Sequence, residues 1–176
     1  MDRQQLSEIV RRVMSENQQS AVAEVGTGSP VQSFSSETSE MTLSIAKALI
    51  EKVLQRAAEI GVNGVAAVSN SGARPVAVEC MDNSYIASYD IAVNKAYTSA
   101  ALKMKTSALK TLAAPGGSLY GIQHTNQGQI VIFGGGVPLT VNGKVIGGFG
   151  VSGGTEEQDT YLGDYAESVF AEMMSV

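Results

Sequence analysis

The chain holds one cysteine, one histidine, no tryptophan and four prolines in 176 residues. Each scarcity removes a class of protein. A lone Cys80 cannot form an internal disulfide, and a closed structural zinc site needs a cluster of Cys and His ligands that is absent here. Charged residues make up only 16% of the chain, and the net charge is −5 with a pI near 4.9. No basic stripe with interleaved aromatics is present, so nucleic acid is not an expected partner. No apolar run approaches the roughly 20 residues that cross a bilayer. At the N-terminus, Arg3, Glu8, Arg11 and Arg12 interrupt any apolar stretch of a secretory signal. The expectation is a cytoplasmic protein without a membrane partner.

Glycine is abundant, and thirteen of its 19 occurrences fall between Pro115 and Gly154. Such a cluster means tight turns or a backbone that approaches a ligand or a neighbour closely.

Three regions follow from the patterning. Residues 1–16 read as an amphipathic helix, with Leu6, Ile9, Val10, Val13 and Met14 on one face. A helix of that length is marginal in water and orders when its stripe finds a surface. Residues 17–40, rich in Ser, Gln, Gly and Thr, read as a flexible linker. Residues 41–176 form the body.

In the body, Ile45, Leu49, Val53, Ala57 and Ile60 mark a helix opened by Thr42 or Ser44 and stopped by Gly61. The apolar runs Gly64–Asn70 and Pro75–Met81 flank Asn70-Ser71-Gly72, a hairpin signature. Cys80 lies in the second run and reads as a buried, inert thiol. Ile86–Met104 is helical, and Thr106 caps a short extra helix through Leu112. Three strand candidates come next: Gln129–Phe133, Pro138–Val141 and Lys144–Ser152. Asn142-Gly143 between the last two suits a type I′ turn. Thr155 with Gln158 forms a capping box for a final helix, whose buried face is Tyr161, Tyr165, Val169, Phe170 and Met173. The economical arrangement is α/β (α+β): one five-stranded antiparallel sheet with helices packed on it.

The chemistry-bearing motifs are few. Gly148-Phe149-Gly150-Val151-Ser152-Gly153 matches G-x-G-x-x-G, but no second parallel strand or distant acidic residue follows the helix, so NAD binding is not expected. Gly153 and Thr155 precede a helix N-terminus that either receives an anion or is simply capped by Thr155. His124, in a glycine-flanked loop, is either an axial ligand for haem iron or a solvated loop residue. Asp90, Lys95 and Tyr97 share one helical stretch and read first as surface or interface polar residues. No nucleophile elbow or P-loop is present.

Four ordered segments carry a resemblance. They are Ser88-Tyr89-Asp90-Ile91-Ala92-Val93-Asn94-Lys95-Ala96-Tyr97-Thr98, Pro115-Gly116-Gly117-Ser118-Leu119-Tyr120-Gly121, Gly134-Gly135-Gly136-Val137-Pro138-Leu139, and Val151-Ser152-Gly153-Gly154-Thr155-Glu156-Glu157-Gln158-Asp159. Together they resemble the GlcG/HbpS/PduO C-terminal family across about residues 41–174. The resemblance implies a profilin-like three-layer α/β/α domain with a five-stranded antiparallel sheet and helices on both faces. It also implies homo-oligomers and binding of haem, with a corrinoid as the second choice. The adenosyltransferase activity of PduO-type proteins belongs to a separate domain and is not implied. The N-terminal helix is similar to the encapsulation peptides that route cargo into bacterial microcompartments, docking through apolar anchors at helical spacing.

The resulting expectation is a tetrapyrrole-binding accessory protein in a microcompartment lumen, with shell or cargo proteins as partners of residues 1–16. Its pocket is expected from the loops Pro115–Gly121 and Gly134–Pro138, with Gly116, Gly117, Tyr120, His124, Phe133, Gly135, Gly153 and Thr155 as binding residues. The competing expectations are an enzyme on a small metabolite or tetrapyrrole, using Asp90, Lys95, Tyr97 and Tyr120, and a structural lumen protein without a ligand.

Overall fold

The computed structural model describes residues 39–175. The expected targeting helix and most of the linker, with Leu6, Ile9, Val10, Val13 and Met14, lie outside the described residues. The body runs α1 (Leu43–Glu59), β1 (Val65–Asn70), β2 (Pro75–Cys80), α2 (Ile86–Leu102), α3 (Thr106–Leu112), two short 3₁₀ turns, β3 (Gly136–Val141), β4 (Lys144–Ser152) and α4 (Glu156–Met174).

Local signals set several boundaries as expected. The Thr42 hydroxyl accepts the Ile45 amide and caps α1. Its other end is a Schellman motif: Gly61, at φ +73°, donates to Ala58 O, and Val62 donates to Ala57 O. Asn142 and Gly143 both take positive φ, 49° and 76°, as a type I′ turn requires. Thr155 and Gln158 form the full capping box of α4. In the four-residue β1–β2 connection, 71–74, Ala73 holds the left-handed position, φ 57°, and Asn70 Oδ1 accepts the amides of Gly72 and Arg74.

The sheet has four strands, not five, in the antiparallel order β2-β1-β4-β3. The expected strand Gln129–Phe133 does not form. Its backbone bonds instead to α2: Val131 N–H donates to Thr98 Oγ1 at 3.0 Å, and that hydroxyl lies 3.1 Å from Gln129 O. A segment whose polar groups are taken by a helix side chain has none to spare for a ladder.

Alternation along the strands sends two sets of side chains to opposite faces. One face carries Ala66, Val68, Val137, Leu139, Phe149 and Val151, packed against the apolar stripes of α1 and α4. The other carries Val65 and Ala67 against Ala92 and Ala96 of α2. Helices therefore cover both faces. The second face is built of small residues. Added side chains at Gly148 and Gly150 would collide with the Ala96 and Ala92 carbonyl oxygens of α2. The glycine cluster in β4 therefore serves helix–sheet contact, which supplies a structural reason for the G-x-G-x-x-G pattern.

Three further expectations need correction. Cys80 is exposed, because it ends the edge strand β2. Tyr161 is 45% exposed, since the buried stripe of α4 runs instead through Asp159, Leu162, Gly163, Ala166, Val169 and Phe170. Thr106 makes no cap bond; it is buried, and its hydroxyl accepts the Gly136 amide at 2.9 Å. No described helix is long and apolar enough to cross a membrane.

Candidate functional site

Lys95 lies on the same helical face as Ser88, Ala92, Ala96 and Ser99, so the periodicity that packs α2 on the sheet also carries its ammonium inward. This corrects the surface reading: the Lys95 side chain is 0% exposed. Its Nζ donates to Asp159 Oδ2 at 2.7 Å and to Val151 O at 2.8 Å. Asp159 occupies the first inward position of α4, and its second oxygen accepts the Gly154 amide at 3.0 Å. One ion pair thus ties α2, β4, α4 and the 153–155 turn together.

Two features crowd the ammonium further. The Phe133 ring centroid is 5.0 Å from Nζ, a cation–π contact. Gly135, at φ +107°, passes so close that an added Cβ would lie 2.8 Å from Nζ. Desolvation lowers the Lys95 pKa from its ordinary 10.5, while the charge and hydrogen bond of Asp159 and the charge of Glu156 oppose the shift.

Asp159, but not the fully buried Lys95, lines a recess. A cleft of about 370 Å³ is lined by Tyr85, Ala87, Ile91 and Phe133 on its apolar side and by Ser88, Ser152, Glu156 and Asp159 on its polar side. Ser152 Oγ donates to Ser88 Oγ at 3.3 Å. A second cleft of about 450 Å³ adjoins the same Tyr85, Gly153 and Gly154, and continues past Asn63, Asn83 and Thr155. The helix N-terminus here is largely self-satisfied: Thr155 N–H donates to Gln158 Oε1, Gln158 N–H to Thr155 Oγ1, and Gly154 N–H to Asp159. Glu157 is stabilised as a carboxylate chiefly by its own amide, with its pKa held below 4.5. The capping alternative for Thr155 is therefore the one its hydrogen bonds match.

The expected binding residues divide. Phe133, Gly135, Gly153 and Thr155 gather around these clefts. His124, Tyr120, Gly116 and Gly117 do not line either one. Gly117 packs against the end of α3, where a side chain would overlap the Leu112 carbonyl. Tyr120 is 67% exposed, and His124 is exposed in a 3₁₀ turn with its Nε2 3.5 Å from Gln123 Nε2. Asp90 is exposed, and Tyr97 is partly buried, its hydroxyl accepting Asn126 Nδ2–H at 3.0 Å. Asp159, Ser88 and Ser152 carry no site motif of their own in the sequence. Their signal was positional: each falls on the inward stripe of an otherwise small or apolar element.

Among the described residues no group of three or more His, Cys, Asp and Glu is placed to hold a metal ion. The architecture defines a class: a single antiparallel sheet between helices, with a recess where the start of α2 meets the turn into α4. A family model described as haem degrading protein HbpS-like matches residues 41–166, and the chain belongs to the HbpS-like family. An uncharacterized 15.0 kDa protein in the dhaT-dhaS intergenic region of Citrobacter freundii is 45% identical over 139 residues, which is 79% of this chain and 98% of that protein. The corrinoid adenosyltransferase PduO of the same organism is 35% identical over 123 residues, but the match spans only 36% of its length. Among solved structures, the Klebsiella pneumoniae protein ORFY superposes with a TM-score of 0.73 at 38% identity, covering 85% of this chain and 98% of that one. A PduOC:heme complex superposes at 0.70 with 31% identity, covering 73% and 94%.

Proposed function

We propose that this chain binds haem or a closely related tetrapyrrole as an accessory protein. The observation that carries the reading is the match to the PduOC:heme complex, which covers nearly all of that haem-bound domain. His124 suits the iron: it is an exposed imidazole four to five residues along the chain from Leu119 and Tyr120, whose side chains are also exposed. Haem titrated into the purified protein should give a saturable Soret band, and His124→Ala should shift or abolish it. A colourless protein after titration overturns the reading, and an unchanged band in His124→Ala removes His124 as ligand.

Homo-oligomerisation and delivery belong to the same proposal. Tyr85, Ile86 (96% exposed) and Tyr89 present an apolar surface at the start of α2 that suits a second copy. Residues 1–16 would address the assembly to a microcompartment lumen, where several weak helix contacts gain strength from one oligomeric body. Deleting residues 1–18 should leave the native mass of the oligomer unchanged and abolish co-purification with shell proteins. Retained co-purification would refute the address.

A further inference from the structure

The geometry points to a second ligand site: the cleft of about 370 Å³ at the start of α2 binds small uncharged alcohols that carry a short apolar tail. Size argues for this first. Ligand pockets run from about 300 to 1,000 Å³, and this one lies at the small end, where one ring or a short chain fits and a tetrapyrrole does not. The loop that carries His124 contributes no residue to the lining.

One buried group in that lining is only half used. Ser88 is 3% exposed and Ser152 5%, and both line the cleft. Ser152 Oγ donates to Ser88 Oγ at 3.3 Å, so the Ser88 oxygen accepts while its own O–H meets no acceptor among the described residues. A hydroxyl carries one donor, and a buried donor left unmatched is unfavourable. A ligand oxygen in the cleft accepts that hydrogen. Glu156, in the same lining, binds Lys110 through Oε2 alone, which leaves Oε1 to accept from a ligand. An alcohol meets both needs, whereas an ether or a ketone meets only the first.

Charge selects against ions. No Lys, Arg or His lines the cleft, so a carboxylate or phosphate would face Asp159 and Glu156 with nothing to pair it. A cation gains little, because each carboxylate already holds one: Asp159 holds Lys95 at 2.7 Å, and Glu156 holds Lys110 at 2.6 Å. The remaining wall is apolar. Tyr85, Ile91 and Phe133 supply most of it, and each methylene of a ligand tail buried against them is worth about fourfold in affinity.

The test uses the full chain free of haem, with benzyl alcohol as the probe and saturation-transfer NMR as the readout, which any oligomer size permits. The signal should saturate with a dissociation constant on the order of 1–10 mM for so small a ligand. Benzoate should give no signal, and benzylamine should bind no more tightly than the alcohol. Ser88→Ala should weaken the alcohol about fivefold, as loss of one neutral hydrogen bond does, and leave toluene unchanged. Ala87→Phe, at an exposed position of the lining, should fill the cleft and abolish the signal while the far-ultraviolet spectrum stays that of the parent. The proposal fails if the parent chain gives no saturable signal, if benzoate binds as well as the alcohol, or if both variants bind the alcohol like the parent. It does not rest on tetrapyrrole binding, since it is read without haem and stands or falls separately from the Soret titration.

Discussion

Gly150 of β4 lies directly beneath the α2 backbone, where a Cβ would lie within 2.5 Å of Ala96 N and 2.8 Å of Lys95 Cβ and overlap the Ala92 carbonyl oxygen. Helix and strand touch main chain to main chain, so the contact cannot relax by moving a flexible side chain. Gly150→Ala should therefore cost about 3 kcal/mol, the upper part of the overpacking range. Gly72→Ala, at a turn position that meets only Asn70 Oδ1 at 3.4 Å, should stay within about 0.5 kcal/mol of the parent. Urea unfolding of the two variants checks the contrast; equal costs would mean that α2 can lift off the sheet.

Lys95 and Asp159 are buried as a pair, and their separation should be expensive. Lys95→Met leaves a carboxylate without its cation and should cost about 3–5 kcal/mol. Lys95→Met with Asp159→Leu should recover most of that loss, because neither charge is then left behind. A double mutant as unstable as the sum of the singles would show that the two side chains act independently.

The alkaline limb of stability should have two opposed contributions. The folded pKa of Lys95 is below 10.5, so between that value and 10.5 the unfolded chain keeps a proton the folded one has released, and this site makes stability rise with pH. Lys105 behaves in the opposite sense. Its hydrogen bonds to Glu167 and Asp164 raise its pKa, so its contribution is complete below 10.5 and is lost as pH climbs through the folded value. Lys110, held by Glu156 at 2.6 Å, titrates on the same side as Lys105. Chemical unfolding from pH 9 to 11.5 should show Lys95→Met lacking the rise and Lys105→Gln losing less stability at the top of the range.

What the sequence made legible follows from how local each signal is. Caps at Thr42 and Thr155, the stop at Gly61 and the turn at Asn142-Gly143 depend on a few neighbouring residues, and all appear where the pattern put them. The missing fifth strand depends on Thr98, more than thirty positions earlier, and no local pattern around Gln129–Phe133 records that bond. The site fared likewise. Phe133, Gly135, Gly153 and Thr155 were visible as loop residues of special type, whereas the partnership of Lys95 with Asp159 spans 64 positions and requires the sheet to bring α2 and α4 together. Reading Lys95 as a surface residue followed the general rule for lysine. The inward stripe Ser88, Ala92, Ala96, Ser99 was the contrary signal.

Thr98 should control the segment that carries Phe133. Its hydroxyl accepts Val131 N–H and lies within hydrogen-bond reach of Asn94 O and Gln129 O. Thr98→Val preserves shape but leaves the buried Val131 amide without an acceptor, at about 1–3 kcal/mol. Faster hydrogen exchange at Val131, with protection in α1 unchanged, is the expected signature. Uniformly faster exchange across the body would mean global rather than local loosening.

The loop bearing His124 stores backbone strain that can be relieved without touching a contact. Asn126, Gln127 and Gly128 are consecutive left-handed residues, with φ of 51°, 59° and 77°. Gln127 is exposed, so glycine there removes a penalty of about 1–2 kcal/mol for a side chain in that region. It adds back about 0.4–1 kcal/mol through the freer unfolded chain. Gln127→Gly should therefore stabilise modestly, raising the unfolding midpoint by roughly 1–4 °C in a chain of this size. A fall in the midpoint would show that the Gln127 side chain holds the loop by a contact rather than merely tolerating its conformation. The haem titration repeated on this variant then separates a strained loop that is preformed for ligation from one that bends only after binding.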